Sequence, residues 1–107
     1  MIVKNSNAKF EDVGGGVMRK VLAYEDELMF VEVCFDKGGV GAPHSHPHVQ
    51  VSYVESGKFE VAIDNNTSTL EKGDSFSVPS GATHGVICLE KGKLLDFFTP
   101  MRKDFLK

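Results

Sequence analysis

All four histidines of this 107-residue chain fall in two places: His44, His46 and His48 within five residues, and His84 far downstream. On an extended segment residues two apart face the same side, so His44 and His46 project together. Gln50 shares their parity and joins them if the strand stays regular past Pro47. Imidazole nitrogens and an amide oxygen suit Mn, Fe, Co, Ni or Zn. His84, arriving from a neighbouring strand, would be a fourth ligand and leave coordination positions open, the arrangement of a catalytic rather than a structural metal site. All four donors are neutral, so one bound divalent ion would keep its full charge and act as a Lewis acid on a sugar or acid oxygen. These residues alone also allow a plainer reading, a solvated His-rich loop with His84 as a satisfied core histidine. His48 reads as a rim histidine or a supporting hydrogen-bond partner. Pro43 and Pro47 either stiffen the ligand segment or mark a strand entry.

A second candidate lies near the carboxy terminus. Leu94-Leu95-Asp96-Phe97-Phe98 sets one carboxylate inside an apolar strand, where an unpartnered charge is costly. If the face shared by Leu94, Asp96 and Phe98 is an interior one, Asp96 looks into the same space as the histidines, and a raised pKa would suit it to proton transfer. Equally, Asp96 reads as exposed, or as ion-paired with Arg19, Lys20 or Arg102. Arg102 reads from pattern as a surface cation, with a fork on a substrate carboxylate as the alternative. Phe98 reads as core packing, or as a wall for a sugar ring.

The elements that must carry these groups are strands. Period-2 alternation recurs at short intervals, and no segment of helical length has apolar residues at i, i+3, i+4 and i+7. The clearest strands are 17–24, 28–35, 49–54, 58–63, 75–78, 85–89 and 93–99, rich in Val, Phe and Ile. Glu25-Asp26-Glu27, Ser56-Gly57, Asp64-Asn65-Asn66 and Glu90-Lys91-Gly92 supply turns between them. So many short strands must close or fold over to hide their edges, which predicts an all-β jelly-roll barrel. Only the tail, 101–107, suits a helical turn. Gly14-Gly15-Gly16 is a turn and not a phosphate loop, because no Gly-Lys-Ser/Thr and no helix follows it.

Composition narrows the function classes. Twelve basic against fifteen acidic side chains leave a net charge of -3, without the basic stripe a phosphate backbone requires, so nucleic acid is excluded as a partner. The amino terminus lacks the apolar core of a signal peptide, and no apolar run approaches the roughly 20 residues that span a bilayer, so a cytoplasmic protein without membrane contact is expected. Cys34 and Cys88 sit in apolar stretches and are expected to be free, buried thiols. The length predicts a single domain over 1–107. A domain of this size buries somewhat over 60% of its unfolded surface, and this thin margin, with exposed sheet edges, leads to the expectation of a homodimer.

Two spacings sharpen the metal reading. Gly38, five residues, His44, one, His46, three, Gln50, six, Gly57 is followed by Gly73, five, Pro79, one, Gly81, two, His84. In these the chain resembles the cupin superfamily, departing from the commoner pattern at Gln50, where Glu is usual, and at Cys88, where Asn is usual. The resemblance implies a cupin-type double-stranded β-helix. It also implies a metal held by His44, His46, Gln50 and His84. Arg19-Lys20-Val21-Leu22-Ala23-Tyr24, His44-Ser45-His46-Pro47-His48 with Gln50, and Leu94-Leu95-Asp96 followed by Thr99-Pro100 and Arg102, ending in Asp104-Phe105-Leu106, further resemble the small cupins of bacterial pectin and alginate breakdown, the KdgF family. That resemblance implies metal-dependent conversion of 4,5-unsaturated monouronates to the linear 5-keto-4-deoxyuronate, with Asp96, Phe98 and Arg102 as the catalytic and substrate-holding group. The rival readings are a cupin dioxygenase of a small organic substrate, which oxygen uptake would reveal, and a non-catalytic sugar-binding cupin.

Overall fold

The computed structural model describes residues 1–106. Eight antiparallel strands make one continuous sheet: β1 (Glu11–Gly14), β2 (Val17–Glu25), β3 (Leu28–Phe35), β4 (Val40–His44), β5 (Val49–Ile63), β6 (Asn66–Glu71), β7 (Ser75–Val78) and β8 (His84–Thr99). Short 3-10 turns at Asn5–Asn7 and Lys103–Phe105 complete it. The expected all-β fold is therefore the one adopted. The tail forms the Lys103–Phe105 turn, while Lys107 lies outside the described residues. No helix among the described residues is long and apolar enough to cross a membrane.

The frame is a ribbon of the two long strands. β5 pairs with β8 from Val49↔Thr99 to Ile63↔His84. One half of this ribbon is flanked by β3 on β8 and by β7 on β5, the other half by β4 on β8 and by β6 on β5. The turns expected at Ser56-Gly57 and Glu90-Lys91-Gly92 do not form. Both strands run through these residues, and the register slips between Val54 and Phe59 instead. A Cβ on Gly57 would lie 2.6 Å from the Glu90 carbonyl oxygen and 2.6 Å from the Gly92 Cα, and one on Gly92 would overlap the Ser56 carbonyl oxygen. Glycine is thus used here to bend a paired ribbon through a bulge, with Gly57 at φ 83°, rather than to end its strands. Asp64, at φ 50°, closes the β5–β6 hairpin where a turn was expected.

Strands β1, β4 and β6 escape the period-2 reading because they have scarcely any buried face. An edge strand with both faces wet has no reason to alternate. The long strands do alternate, and the bulge resets the phase of β5 while β8 keeps its own. On β5 the inward side chains are Gln50, Ser52 and Val54 before it, and Phe59 and Val61 after it. On β8 they are Val86, Cys88, Leu94, Asp96 and Phe98.

Two apolar clusters fill the barrel. The larger joins Val17, Phe35, Val54, Phe59, Val61, Val86, Cys88 and Leu94, with Phe35 edge-on to Phe59 at 5.1 Å. The smaller joins Met29, Val31 and Phe98, backed by Tyr24, Met101 and Phe105. Both cysteines are free. Cys88 is in the core as expected. Cys34 is only half-buried, because its side chain is on the outer face of β3 beside Lys93.

Candidate metal centre

The histidines reach one point from three different pieces of backbone. β4 ends at His44, which is paired in register with His84 at the start of β8, and their rings are 4.4 Å apart. The regular strand expected past Pro47 is absent. The chain bends through Ser45–His48, and β5 begins only at Val49, so Gln50 joins the group from a different strand. His46 lies in the bend, where its carbonyl accepts from the Gly81 N–H at 2.9 Å. Gly81 has φ 80°, which explains why a glycine precedes His84. Despite the broken strand, ligand atoms of His44, His46 and His84 lie within 4.8 Å of one another.

Each ring is oriented by its Nδ1. His44 Nδ1 is 3.0 Å from the Ala42 carbonyl, His46 Nδ1 2.9 Å from that of His48, and His84 Nδ1 3.1 Å from that of Ala82. A carbonyl only accepts, so each Nδ1 carries the proton and each Nε2 presents a lone pair. Burial lowers the pKa of His46 and of His84 below the usual histidine value, which keeps both rings neutral and competent as ligands. His48 contributes its backbone carbonyl to this arrangement. Its own Nδ1 is buried with no hydrogen-bond partner among the described residues.

Gln50 is aimed by a chain of hydrogen bonds. Its Nε2 donates to Ser52 Oγ at 2.9 Å, and the Ser52 hydroxyl donates to Asp96 Oδ1 at 2.6 Å. The amide is thereby turned so that Oε1 lies 3.0 Å from His46 Nε2. Two lone pairs then face each other with no proton between them, which a shared cation relieves. Three imidazole nitrogens and one amide oxygen match Mn, Fe, Co, Ni or Zn in donor type, so the residues present fit a divalent transition metal. Ser52 was not singled out from the sequence. Its signal was available in parity, two residues beyond Gln50 on the same inner face.

A cavity of about 330 Å³ opens beside this cluster, lined by His44, Gln50, His84, Asp96, Phe98 and Arg102 among others. Asp96 is 8% exposed and looks into it. Of its sequence alternatives, exposure and ion pairing are corrected: Arg19 pairs with Glu11, Lys20 bonds Asn5 on the outside, and Asp96 is bonded to Ser52. Burial pushes the Asp96 carboxyl up from 3.8 to about 6, against the Ser52 hydrogen bond and the Arg102 charge, which pull it down. Arg102, read from pattern as a surface cation, is 9% exposed. Its guanidinium lies 5.0 Å from the Phe98 ring centre and 4.2 Å from that of Phe105, and it makes two hydrogen bonds to Asp104. Phe98 is buried edge-on between His46 and Phe105, serving as packing and as cavity wall together. Asp104 enters the sequence reading only within the Asp104-Phe105-Leu106 stretch of the family resemblance and without a role, since nothing in its spacing marks it.

Comparison with known proteins agrees with this geometry. Residues 31–98 match the Cupin_2 family, described as a cupin domain. The chain is 43% identical over 99 residues to the pectin degradation protein KdgF of Dickeya dadantii (strain 3937), covering 91% of this chain and 90% of that protein. Among solved structures, KdgF from Halomonas sp. superposes with a TM-score of 0.92 at 40% identity, over 99% of this chain and 98% of the other. An RmlC-like cupin from Shewanella frigidimarina NCIMB 400 gives a TM-score of 0.92 at 42% identity, over 99% of this chain and all of the other. Motif spacing, barrel, ligand cluster and sequence identity along nearly the whole chain lead to one assignment: the chain is a cupin and belongs to the KdgF family.

Proposed function

We propose that the protein opens and ketonises 4,5-unsaturated monouronates, giving the linear 5-keto-4-deoxyuronate in the catabolism of pectin or alginate type polyuronates. The observation that carries this reading is the Gln50–Ser52–Asp96 chain, which joins a buried carboxylate to the metal-ligand cluster across one cavity. At about 330 Å³ the cavity sits at the small end of ligand sites, suited to a monosaccharide rather than an oligosaccharide. A metal held by His44, His46, Gln50 and His84 would supply Lewis-acid stabilisation of oxygen charge.

The reaction is an isomerisation and needs two proton movements. In the ring form C1 is a hemiacetal and C5 an enol ether. Asp96 removes the anomeric hydroxyl proton, the C1–O bond to the ring oxygen breaks as the C1 carbonyl forms, and the electron pair leaves with the ring oxygen as an enolate. Asp96 returns the proton to C4, and the enolate collapses to the C5 ketone. A carboxyl pushed up to about 6 is suited to both transfers near neutral pH. Arg102 holds the uronate carboxylate, and Phe98 lies against the sugar and keeps water from the enolate.

The test incubates metal-loaded protein with lyase-derived unsaturated monouronate and follows the ultraviolet absorbance of the double bond. Expected is a loss faster than in the protein-free control, removed by a chelator and restored by metal. A rate equal to the control overturns the reading. The same reading keeps the protein cytoplasmic, as a single-domain enzyme. It includes a homodimer formed through the outer face, where Leu28, Val49, Val51 and Tyr53 are exposed and Phe30 stacks on Phe97 at 4.9 Å. Sedimentation at a monomer mass across micromolar concentrations would dismiss the dimer.

A further inference from the structure

Arg102 meets the cavity with one edge of its guanidinium already engaged. Nε donates to Asp104 Oδ1 at 3.1 Å and Nη2 to Asp104 Oδ2 at 2.8 Å, a fork-on-fork pair. A guanidinium has five N–H groups, and this pair uses two of them. The remaining three are on Nη1 and Nη2, on an edge that can accept a second carboxylate in the same two-bonded way. Phe98 and Phe105 limit the tilt of the guanidinium plane, and Phe105 is itself covered by the Arg19 guanidinium at 3.7 Å. Ring stacking leaves rotation within the plane free. Asp104 is the group that sets it.

We propose that Asp104 is a positioning residue, which turns the free Nη1–Nη2 edge of Arg102 into the cavity to receive the carboxylate of the substrate. The proposal rests on the uronate reading of this cavity, which Asp104 also lines, and gives a role to a residue not among those assigned contact with the sugar. The Asp104 side chain is 57% exposed, so its ion pair adds little to stability and a merely structural role is a poor explanation of so well-formed a fork. The Arg102 guanidinium holds the Asp104 carboxyl below the usual aspartate range, so it remains charged wherever a uronate is charged. An inhibitory role would have the opposite sign: a carboxylate competing with substrate for Arg102 lowers KM when it is removed.

The experiment compares wild type, Asp104→Ala, Asp104→Glu, Arg102→Lys and the double variant Arg102→Lys with Asp104→Ala. In the absorbance assay Asp104→Ala raises KM about tenfold, the size of one charge-assisted contact, with kcat within about twofold of wild type. Its thermal midpoint stays within about 2 °C. Asp104→Glu recovers part of the loss. In the Arg102→Lys background Asp104→Ala has no further effect, because the group it aims is gone. An unchanged or lowered KM in Asp104→Ala overturns the proposal.

A second measurement needs no turnover, so failure of the uronate reading is told apart from failure of this one. In nitrogen-labelled protein the Arg102 Nε–H signal, assigned by its disappearance in Arg102→Lys, exchanges slowly with water and shifts when D-glucuronate is added. In Asp104→Ala it exchanges faster, and the glucuronate shift is at least halved. A wild-type protein inactive on unsaturated uronate ends the functional reading alone. A wild-type Arg102 signal indifferent to glucuronate, or one that behaves identically in Asp104→Ala, ends the positioning role.

Discussion

The two ends of the barrel are built from the same strands and follow opposite rules. At one end β5 and β8 contribute Phe59, Val61, Val86 and Cys88, and the interior is carbon and sulfur. At the other, Gln50, Ser52 and Asp96 come from one arm of the ribbon and His84 from the tip of the other, four buried polar side chains beside the buried Phe98. The backbone differs little between them, being one ribbon bent at Gly57 and Gly92. The choice of side chain therefore decides which end holds the fold together and which carries chemistry. A buried carboxylate is unfavourable where it stands, and the protein tolerates it because the apolar end supplies stability that does not depend on it.

The sharpest way to break this comparison is to damage the apolar end alone. Phe59 is fully buried, and Phe59→Ala is expected to cost about 3–5 kcal/mol of unfolding free energy through lost transfer energy and an unfilled cavity. Chemical denaturation measures it. Below the unfolding transition kcat should stay within about threefold of wild type, since Phe59 is across the bulge from Gln50 and Asp96. A kcat that falls in proportion to stability would mean that the two ends are not separable.

Damage to the polar end should have the reverse signature. In Asp96→Asn the amide oxygen still accepts from Ser52, but the buried charge is gone and with it the proton transfer proposed for Asp96, so the expected outcome is loss of turnover in the absorbance assay. Stability moves the other way. The unfolded chain ionises this aspartate near 3.8, whereas the native chain keeps the proton to about 6, so ionisation favours the unfolded state progressively as pH rises between those values. The penalty is fully present above 6, where a shift of roughly two units corresponds to about 3 kcal/mol. Metal-free Asp96→Asn should thus exceed wild type by up to about 3 kcal/mol at pH 8 and converge on it near pH 4. Urea midpoints across that pH range show the gap opening, or show that the carboxylate carries no strain.

How much of each end could be read in advance follows from where its information resides. The apolar end announces itself through alternation, which is why 17–24 and 28–35 were legible almost to the residue. Gly57 and Gly92 misled because a glycine that ends a strand and a glycine that bends one look alike until its partner strand is known. His44, His46, Gln50 and His84 were legible from spacing, although the parity argument for Gln50 relied on a strand that the bend at Ser45–His48 interrupts. Pattern alone read Arg102 as a surface cation, and only the family resemblance placed it at the site, because its burial depends on Phe105 folding back over it, a contact made by a tail with no periodicity. Ser52 is a small hydroxyl in an alternating strand, and it gains significance only when Asp96 is found opposite it in register.

Ser52 supplies the smallest expected effect and the most discriminating one. Ser52→Ala deletes a single oxygen but leaves two buried groups without partners, the Gln50 Nε2–H and the Asp96 carboxylate. The direct cost is about 1–3 kcal/mol. Two functional consequences separate the jobs of this hydroxyl. Its bond to Asp96 pulls that pKa down, so its loss lets the carboxyl rise further, and the acid limb of kcat/KM shifts to higher pH because turnover begins from the ionised form. Its bond to Gln50 orients the amide oxygen, so its loss frees the amide to turn and weakens metal binding by about 10–100-fold. A pH profile at saturating metal reads the first, and equilibrium dialysis reads the second. Movement of the acid limb alone would make Ser52 a partner of the carboxylate only, and weakened metal binding alone a partner of the ligand only. Movement of both, in the stated directions, is what a single hydrogen-bonded unit at the polar end requires.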